Sequence, residues 1–291
     1  MYQLINVDVD MRRAKKVKKW INERGPAWTV LHTLRWLIIK YMGIFTYLIE
    51  KLERLLIRIE KHKFLTGEGT ICSLYHTIEE NKKRWNRYDW SYGGGEEWTK
   101  DVKRLKGIDP HQWKANLINK MMKKYITEGS TVLEIGPGAG RWTEILLKRV
   151  KQLLVADISE RCLKICKERF KDRSNIEYFL IKDGGLNFIR TNSTDYIWSY
   201  DVFVHMNPTD IERYLAEFHR ILKPNGVAII HHAGTYPDES EDYVRKEKFR
   251  SYIDKEFFAY LVKKHQMKTL EQNETLAHSP GDVITTFMNV R

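Results

Sequence analysis

Val132-Leu133-Glu134-Ile135-Gly136-Pro137-Gly138-Ala139-Gly140-Arg141-Trp142-Thr143 is the stretch that decides how this chain reads. An apolar run ends in an acid, glycines follow at alternate positions, and a helical pattern opens behind them. That order predicts a strand, a tight turn and a helix N-terminus, an arrangement that brings backbone N–H groups close to a nucleoside-type cofactor. A dinucleotide turn would need G-x-G-x-x-G. Here Arg141 holds the place of its third glycine, and Gly140 comes one residue early. The pattern is E-x-G-x-G-x-G.

Downstream, apolar runs alternate with helical periodicity. Strands are expected near 131–135, 152–157, 176–182, 195–200 and 226–232, and helices near 141–150, 160–171, 208–222 and 254–265. Such alternation predicts a parallel, doubly wound sheet with ligands at the carboxyl ends of its strands. Lys223-Pro224-Asn225-Gly226 is a turn that stops one helix and releases the fifth strand. Residues 267–271 and 282–287 read as two further strands with no helix between them.

The glycine turn has three companions: Asp157 at the end of the second strand, with 16 residues between it and Gly140; Lys182-Asp183-Gly184 after the third; and Pro-Asn-Gly before the fifth. Together they resemble the class I S-adenosylmethionine-dependent methyltransferases over about residues 125–291. The resemblance implies an α/β, Rossmann-like seven-stranded methyltransferase sheet closed by an antiparallel pair, with S-adenosylmethionine as cofactor. It also implies roles: Glu134 positions the methionine moiety, Gly136, Gly138 and Gly140 let backbone approach the cofactor, Asp157 accepts both ribose hydroxyls, and Asp183 lies near the adenine. Another Rossmann-like domain using a different nucleotide is the competing reading.

Methyl transfer is an in-line displacement, so the protein supplies orientation and, for a hydroxyl acceptor, a base. Strand four runs into Trp198-Ser199-Tyr200-Asp201-Val202-Phe203-Val204-His205. His205 is the expected base, with Asp201 as alternative base or orienting partner. His231 and His232, at the end of strand five, are further substrate-side candidates; each of these histidines could equally be structural. A metal set of Asp201, His231 and His232 is conceivable, but no spacing demands one, so no metal is expected. The amino-methylating D/N-P-P-Y signature is absent; Asn207-Pro208-Thr209-Asp210 opens a helix instead. The stretch after strand five resembles methyltransferases of surface-glycan clusters (O-antigen and capsule), which implies a sugar hydroxyl in a lipid-linked glycan as acceptor and Arg250 as an acceptor contact. A small natural product, or a lipid or quinone, is the alternative, and a non-enzymatic scaffold that only binds the cofactor is the third.

The net charge of +12 is unevenly placed: residues 1–65 carry 14 Lys/Arg against 6 Asp/Glu, leaving +4 for the rest. The part with the motifs therefore has no strong field for nucleic acid. Six basic residues crowd positions 12–19. Gly25-Pro26 follows, and then an apolar repeat of Leu31, Leu34, Ile38, Tyr41, Phe45, Leu48, Leu52, Leu55 and Ile59 predicts a long coiled-coil-like helix over 28–63. This arm could pack on its own domain, form a homo-oligomer, or lie on an anionic membrane surface. Residues 66–128 are an aromatic-rich connector or lid, expected to be a cover without regular helix over 71–100 and helical over 111–126. Its Trp85, Trp90 and Trp98 read either as packing residues or as a sugar-stacking wall. The expected domains are thus 1–65, 66–128 and 129–291. Three cysteines are too few for a disulfide framework and the start lacks the order of a signal peptide, so the expected setting is cytoplasmic, or peripheral to the inner face of the membrane.

Overall fold

The computed structural model describes residues 77–91, 95–182, 184–235, 251 and 253–291, together with 18–19, 21–22, 25–27, 29–35, 37–38, 41–42, 44–45, 48, 52 and 55 of the arm. The chain divides into two compact units, Met1–Gly69 and Thr70–Arg291. In the first unit every described position but Gly25 is helical. The apolar positions of the expected repeat from Leu31 to Leu55 are all exposed. Ile59 and many intervening positions of 28–63 lie outside the described residues. No helix among the described residues is long and apolar enough to cross a membrane.

The second unit is built on one seven-stranded sheet: β1 (Thr131–Ile135), β2 (Gln152–Asp157), β3 (Ile176–Leu180), β4 (Thr194–Ser199), β5 (Leu222–Ala233), β6 (Met267–Asn273) and β7 (Asp282–Asn289), in the order β3-β2-β1-β4-β5-β7-β6. The first five strands are parallel, and β7 runs antiparallel to both β5 and β6. The central strands are buried almost throughout, which is why they read as continuous apolar runs rather than alternating ones. Strand order reverses between β1 and β4, so a crevice opens at their carboxyl ends. The predicted Lys-Pro-Asn-Gly turn lies within β5 as a local kink, with Asn225 at φ 63°.

The main helices of this unit among the described residues, in chain order, are α1 (Ile78–Arg87), α2 (Glu97–Lys106), α3 (Pro110–Leu117), α4 (Thr143–Leu146), α5 (Glu160–Arg169), α6 (Pro208–Ile221) and α7 (Lys255–Lys264). A π-helical turn (Ile118–Met122) and a last short helical turn (Lys123–Tyr125) extend α3 through most of the expected 111–126. Local capping chemistry starts most of them. Asp109, Ser159, Asn207 and Asp254 each accept a hydrogen bond from a main-chain N–H in the first turn, and Pro110 and Pro208 occupy first-turn positions where no donor is needed. Two expectations change. Among the described residues of 71–100, regular helix does occur: α1 and the start of α2 are regular, the first opened by a capping box in which Thr77 and Glu80 satisfy each other's backbone N–H groups. The helix expected over 141–150 is regular only over Thr143–Leu146. Beyond it the chain tightens into i→i+3 bonds, Lys148 N to Ile145 O and Arg149 N to Leu146 O.

Candidate active site

The carboxyl ends of β1, β2 and β4 bring three acids to one region, each held differently. Glu134 is buried and accepts a hydrogen bond from Thr143 Oγ1 at 2.7 Å. Burial drives its carboxyl up to about 8, with Thr143 opposing. Asp157 lines the cavity and accepts from the Ser159 N–H at 2.7 Å. Burial raises it to about 7, against hydrogen bonds from the Ser159, Gly138 and Ile158 N–H groups. A raised pKa in a cleft means charge kept out of water at a cost, which suits groups that meet a cationic or hydroxyl-rich ligand.

The turn after β1 is as tight as its glycines imply. Gly136 has φ 71° and a Cβ there would clash with Val202, so the turn packs directly on the segment after β4. At Gly138, φ 58°, a Cβ would come within 2.8 Å of Trp90 Cζ3. The close approaches at these two glycines are thus made by the protein's own side chains.

Trp90 belongs to a cluster with Trp85, Tyr88 and Trp98. Tyr88 and Trp98 stack at 5.2 Å, and Trp90 meets Tyr88 at 4.9 Å and Trp98 at 5.5 Å. The Trp90 indole N–H donates to the Trp85 carbonyl at 3.0 Å. Trp85, Trp90 and Trp98 all line the cavity. His205, in a short 3₁₀ turn (Phe203–His205), lines it too, its ring 5.2 Å from that of Trp85. Asn81 of α1 donates to the His205 carbonyl at 2.6 Å, tying cover to turn.

Asp201, at φ 61°, is the centre of a charged cluster. Arg141 Nη2 donates to its Oδ2 at 2.6 Å, and the guanidinium sits 5.0 Å over the Trp142 ring. Asp201 Oδ1 is 3.1 Å from His231 Nδ1 and 3.2 Å from His278 Nδ1. Burial opposes ionisation of Asp201, yet His278, His231 and Arg141 together hold its carboxyl well below the usual range. His231 stacks on Tyr200 at 4.2 Å and has Asp282 Oδ2 3.3 Å from Nε2. Burial favours its neutral ring, but Asp201 and Asp282 outweigh it and raise the pKa.

His232 lies elsewhere. Neighbours on a strand face opposite ways, and His232 stacks on Phe258 at 3.6 Å while its Nε2 is 2.7 Å from Thr285 Oγ1. Burial lowers its pKa to about 3, and it does not line the cavity. The structure therefore brings together Gly136, Gly138, Asp157, Asp201, His205, Trp90 and Trp98 around the cavity, with His231 behind Asp201 and Glu134 and Gly140 behind the turn. Asp183 and Arg250 lie outside the described residues.

Arg141, Asn81, His278 and Asp282 were not expected at the site. His278 sits in the loop between β6 and β7. Because β7 is antiparallel to β5, Asp282 pairs with Ala233, and this loop returns to the carboxyl ends of the parallel strands. Lys106 donates to the carbonyls of Glu274, Thr275 and Ala277, and Trp113 and Tyr200 both donate to that of Leu276, so the loop is pinned. The absence of a helix before the last strand was the one sequence sign of this return.

Residues 132–226 match the family model described as "Methyltransferase domain". Among curated proteins, the chain is 35% identical over 80 residues to the ribosomal RNA small subunit methyltransferase A of Mycoplasmopsis synoviae (strain 53), covering 28% of this chain and 29% of that one. It is 33% identical over 105 residues to the demethylmenaquinone methyltransferase of Tropheryma whipplei (strain Twist), covering 36% and 42%. The chain thus spans less than half the length of these two relatives. Among solved structures, the fold is similar to that of geranyl diphosphate C-methyltransferase from Streptomyces coelicolor A3(2), a complex with Mg2+, geranyl diphosphate and S-adenosyl-L-homocysteine. The TM-score is 0.56 at 12% identity, over 73% of this chain and 98% of that one.

Proposed function

We propose that this chain, which carries a methyltransferase domain at residues 132–226, is an S-adenosylmethionine-dependent O-methyltransferase acting on a sugar hydroxyl of a lipid-linked glycan. The donor half of the reading rests on the glycine turn and Asp157. The acceptor half rests on one observation: an aromatic wall of Trp85, Trp90 and Trp98 lines the same cavity as His205. Flat aromatic faces suit the apolar faces of sugar rings.

The residues present fit the donor. Asp157 offers the cavity a buried carboxylate for ribose hydroxyls, and the turn from Gly136 to Ala139 lines the same cavity. S-adenosylmethionine, when bound, supplies the methyl group, the S–CH3 bond breaking toward sulfur as the acceptor oxygen bonds to the methyl carbon. His205 takes the proton of that hydroxyl, its position fixed by the Asn81 contact to its carbonyl. Trp85 and Trp98 orient the acceptor and exclude water.

His205→Ala should lower transfer to hydroxyl acceptors by about 100-fold or more, while calorimetry finds donor binding unchanged. Full activity in that variant removes His205 as base. The substrate is read by mass spectrometry of methylated glycans and lipids from cells with and without the protein. A methylated quinone or lipid with unmodified glycans would instead favour the second reading, which the similarity to a demethylmenaquinone methyltransferase supports. The modest charge outside the arm argues against a nucleic-acid acceptor.

For the arm, self-association of residues 28–63 into a homo-oligomer is the reading we adopt, with an anionic membrane surface at the basic cluster as a further partner. The apolar repeat from Leu31 to Leu55 is exposed, and such a row seeks cover. Light scattering should show an oligomer for the full chain and a monomer after deletion of residues 1–65. An unchanged mass would exclude the arm as the contact.

A further inference from the structure

We infer that Asp201, His231 and His278 form a binding site for one divalent first-row transition-metal ion. One ligand atom from each lies within 4.8 Å of the others. The Asp201 Oδ1 distances to the two Nδ1 atoms, 3.1 and 3.2 Å, match neighbouring ligands around one ion. Bonds of about 2.1 Å place adjacent donors roughly 3.0 Å apart at right angles and roughly 3.4 Å apart at tetrahedral angles.

The orientation of the donors points the same way. Asp201 Oδ1 is shielded from solvent, with two imidazole nitrogens beside it. Its other oxygen is already taken by Arg141. The Asp201 main-chain N–H donates to His231 Nδ1 at 3.2 Å, so ligation through Nδ1 exchanges that bond for the ion. One oxygen and nitrogens of two rings converge there, as ligands do.

The surroundings supply what a metal site needs beyond its ligands. Asp282 Oδ2 faces His231 Nε2 at 3.3 Å, the carboxylate–histidine relay that orients a ligating ring and raises its basicity. Tyr200 stacks on His231, Trp113 meets the His278 ring edge-on at 6.4 Å, and Ser279 Oγ lies 3.2–3.3 Å from the His278 nitrogens. Asp201 and Asp282 together exceed the charge of Arg141, leaving the cluster with room for a cation once both rings are neutral. Two imidazoles and one carboxylate select manganese-to-zinc ions over magnesium or calcium, which prefer oxygen.

Asp201 and His278 line the cavity that also holds Asp157 and His205. An ion there would have its open positions toward the acceptor and would polarise the acceptor oxygen. That role rests on the methyl-transfer reading; the binding of the ion does not.

The test uses the full chain, stripped with a chelator and titrated with Co2+ as the probe. Elemental analysis and visible absorption should report one Co2+ per chain in a nitrogen-and-oxygen site, displaced by Zn2+, and added Zn2+ should raise the melting temperature. His278→Ala and Asp201→Asn should each weaken Co2+ binding by at least about 10-fold, while His111→Ala, on an exposed helix position, should not. No stoichiometric Co2+ in the unmodified chain, or equal binding in a folded His278→Ala, overturns the site. If either variant fails to fold, the Zn2+-dependent melting shift of the unmodified chain decides, and its absence also overturns the site. Stoichiometric binding with transfer unchanged by stripping upholds the site and removes the ion from the chemistry.

Discussion

Asp157→Ala should raise the dissociation constant for S-adenosylmethionine by about 10- to 150-fold. Hydrogen bonds to a charged group contribute about 1.5–3 kcal/mol, and each 1.4 kcal/mol is a factor of ten. Few other carboxylates could substitute, because Glu134, the nearest in the turn, faces Thr143 rather than the cavity. The residue also gives a pH signature. With the Asp157 pKa raised to about 7 by burial, ribose hydroxyls meet a charged, and so stronger, acceptor only in its ionised form. Donor affinity should therefore rise from about pH 6 to about pH 8 and then level, and Asp157→Asn should flatten that rise.

For folding the sign is reversed. A carboxyl whose folded pKa lies above its unfolded value keeps its proton when the unfolded chain has lost it, so it favours the fold at low pH. That contribution falls as pH rises from about 4 to about 7, and donor binding offsets the loss at the upper end. Calorimetric titrations in buffers of different ionisation enthalpy should detect proton release on binding near pH 7. Affinity independent of pH would exclude the role.

Arg141→Met should destabilise the protein by about 3 kcal/mol or more, the usual cost of breaking one side of a buried ion pair. Arg141 is 5% exposed and Asp201 14%. The substitution removes the partner of Asp201 Oδ2, a hydrogen bond to Thr99 and the packing of the guanidinium on Trp142 and Tyr200. The expected fall in Tm is roughly 6–12 °C. Lys171→Ala, which removes an exposed pair with Glu168, should change stability by no more than about 0.5 kcal/mol. Pairing Arg141→Met with Asp201→Asn should cost less than the sum of the two, because the second change removes the stranded charge. Strict additivity would mean the two side chains do not act as a pair.

These two sites differ in how far the sequence disclosed them. Asp157 and the glycine turn are local features: a strand ends, a turn must be tight, and a carboxylate stands at a fixed distance along the chain. The strand–helix alternation and the antiparallel finish were legible for the same reason, since periodicity and turn residues act over a few positions. The Arg141–Asp201–His278 cluster spans 137 positions and depends on a strand returning to the middle of the sheet, which no short-range pattern encodes. His231 and His232 show the intermediate case. Alternation predicts that adjacent strand residues face opposite ways, but only the packed helix α7, with Phe258 under His232, decides which one faces the acids. The cover was missed for another reason. Its tryptophans hid two short helices, although Thr77-Ile78-Glu79-Glu80 carried a complete capping box.

The position of β7 has a consequence for how the protein is made. Of the seven strands of the sheet it is the last in chain order, yet it fills the gap between β5 and β6. Until it arrives, β5 is an unpaired apolar edge, and such edges invite association with other chains. Asp282 and the pinned His278 loop arrive with it, so the β1–β2 end of the cavity, with Asp157, can form on a nascent chain before the charged cluster exists. The order of synthesis thereby separates the two halves of the cavity: the end that carries Asp157 is laid down early, and the surroundings of Asp201 are completed only at the end.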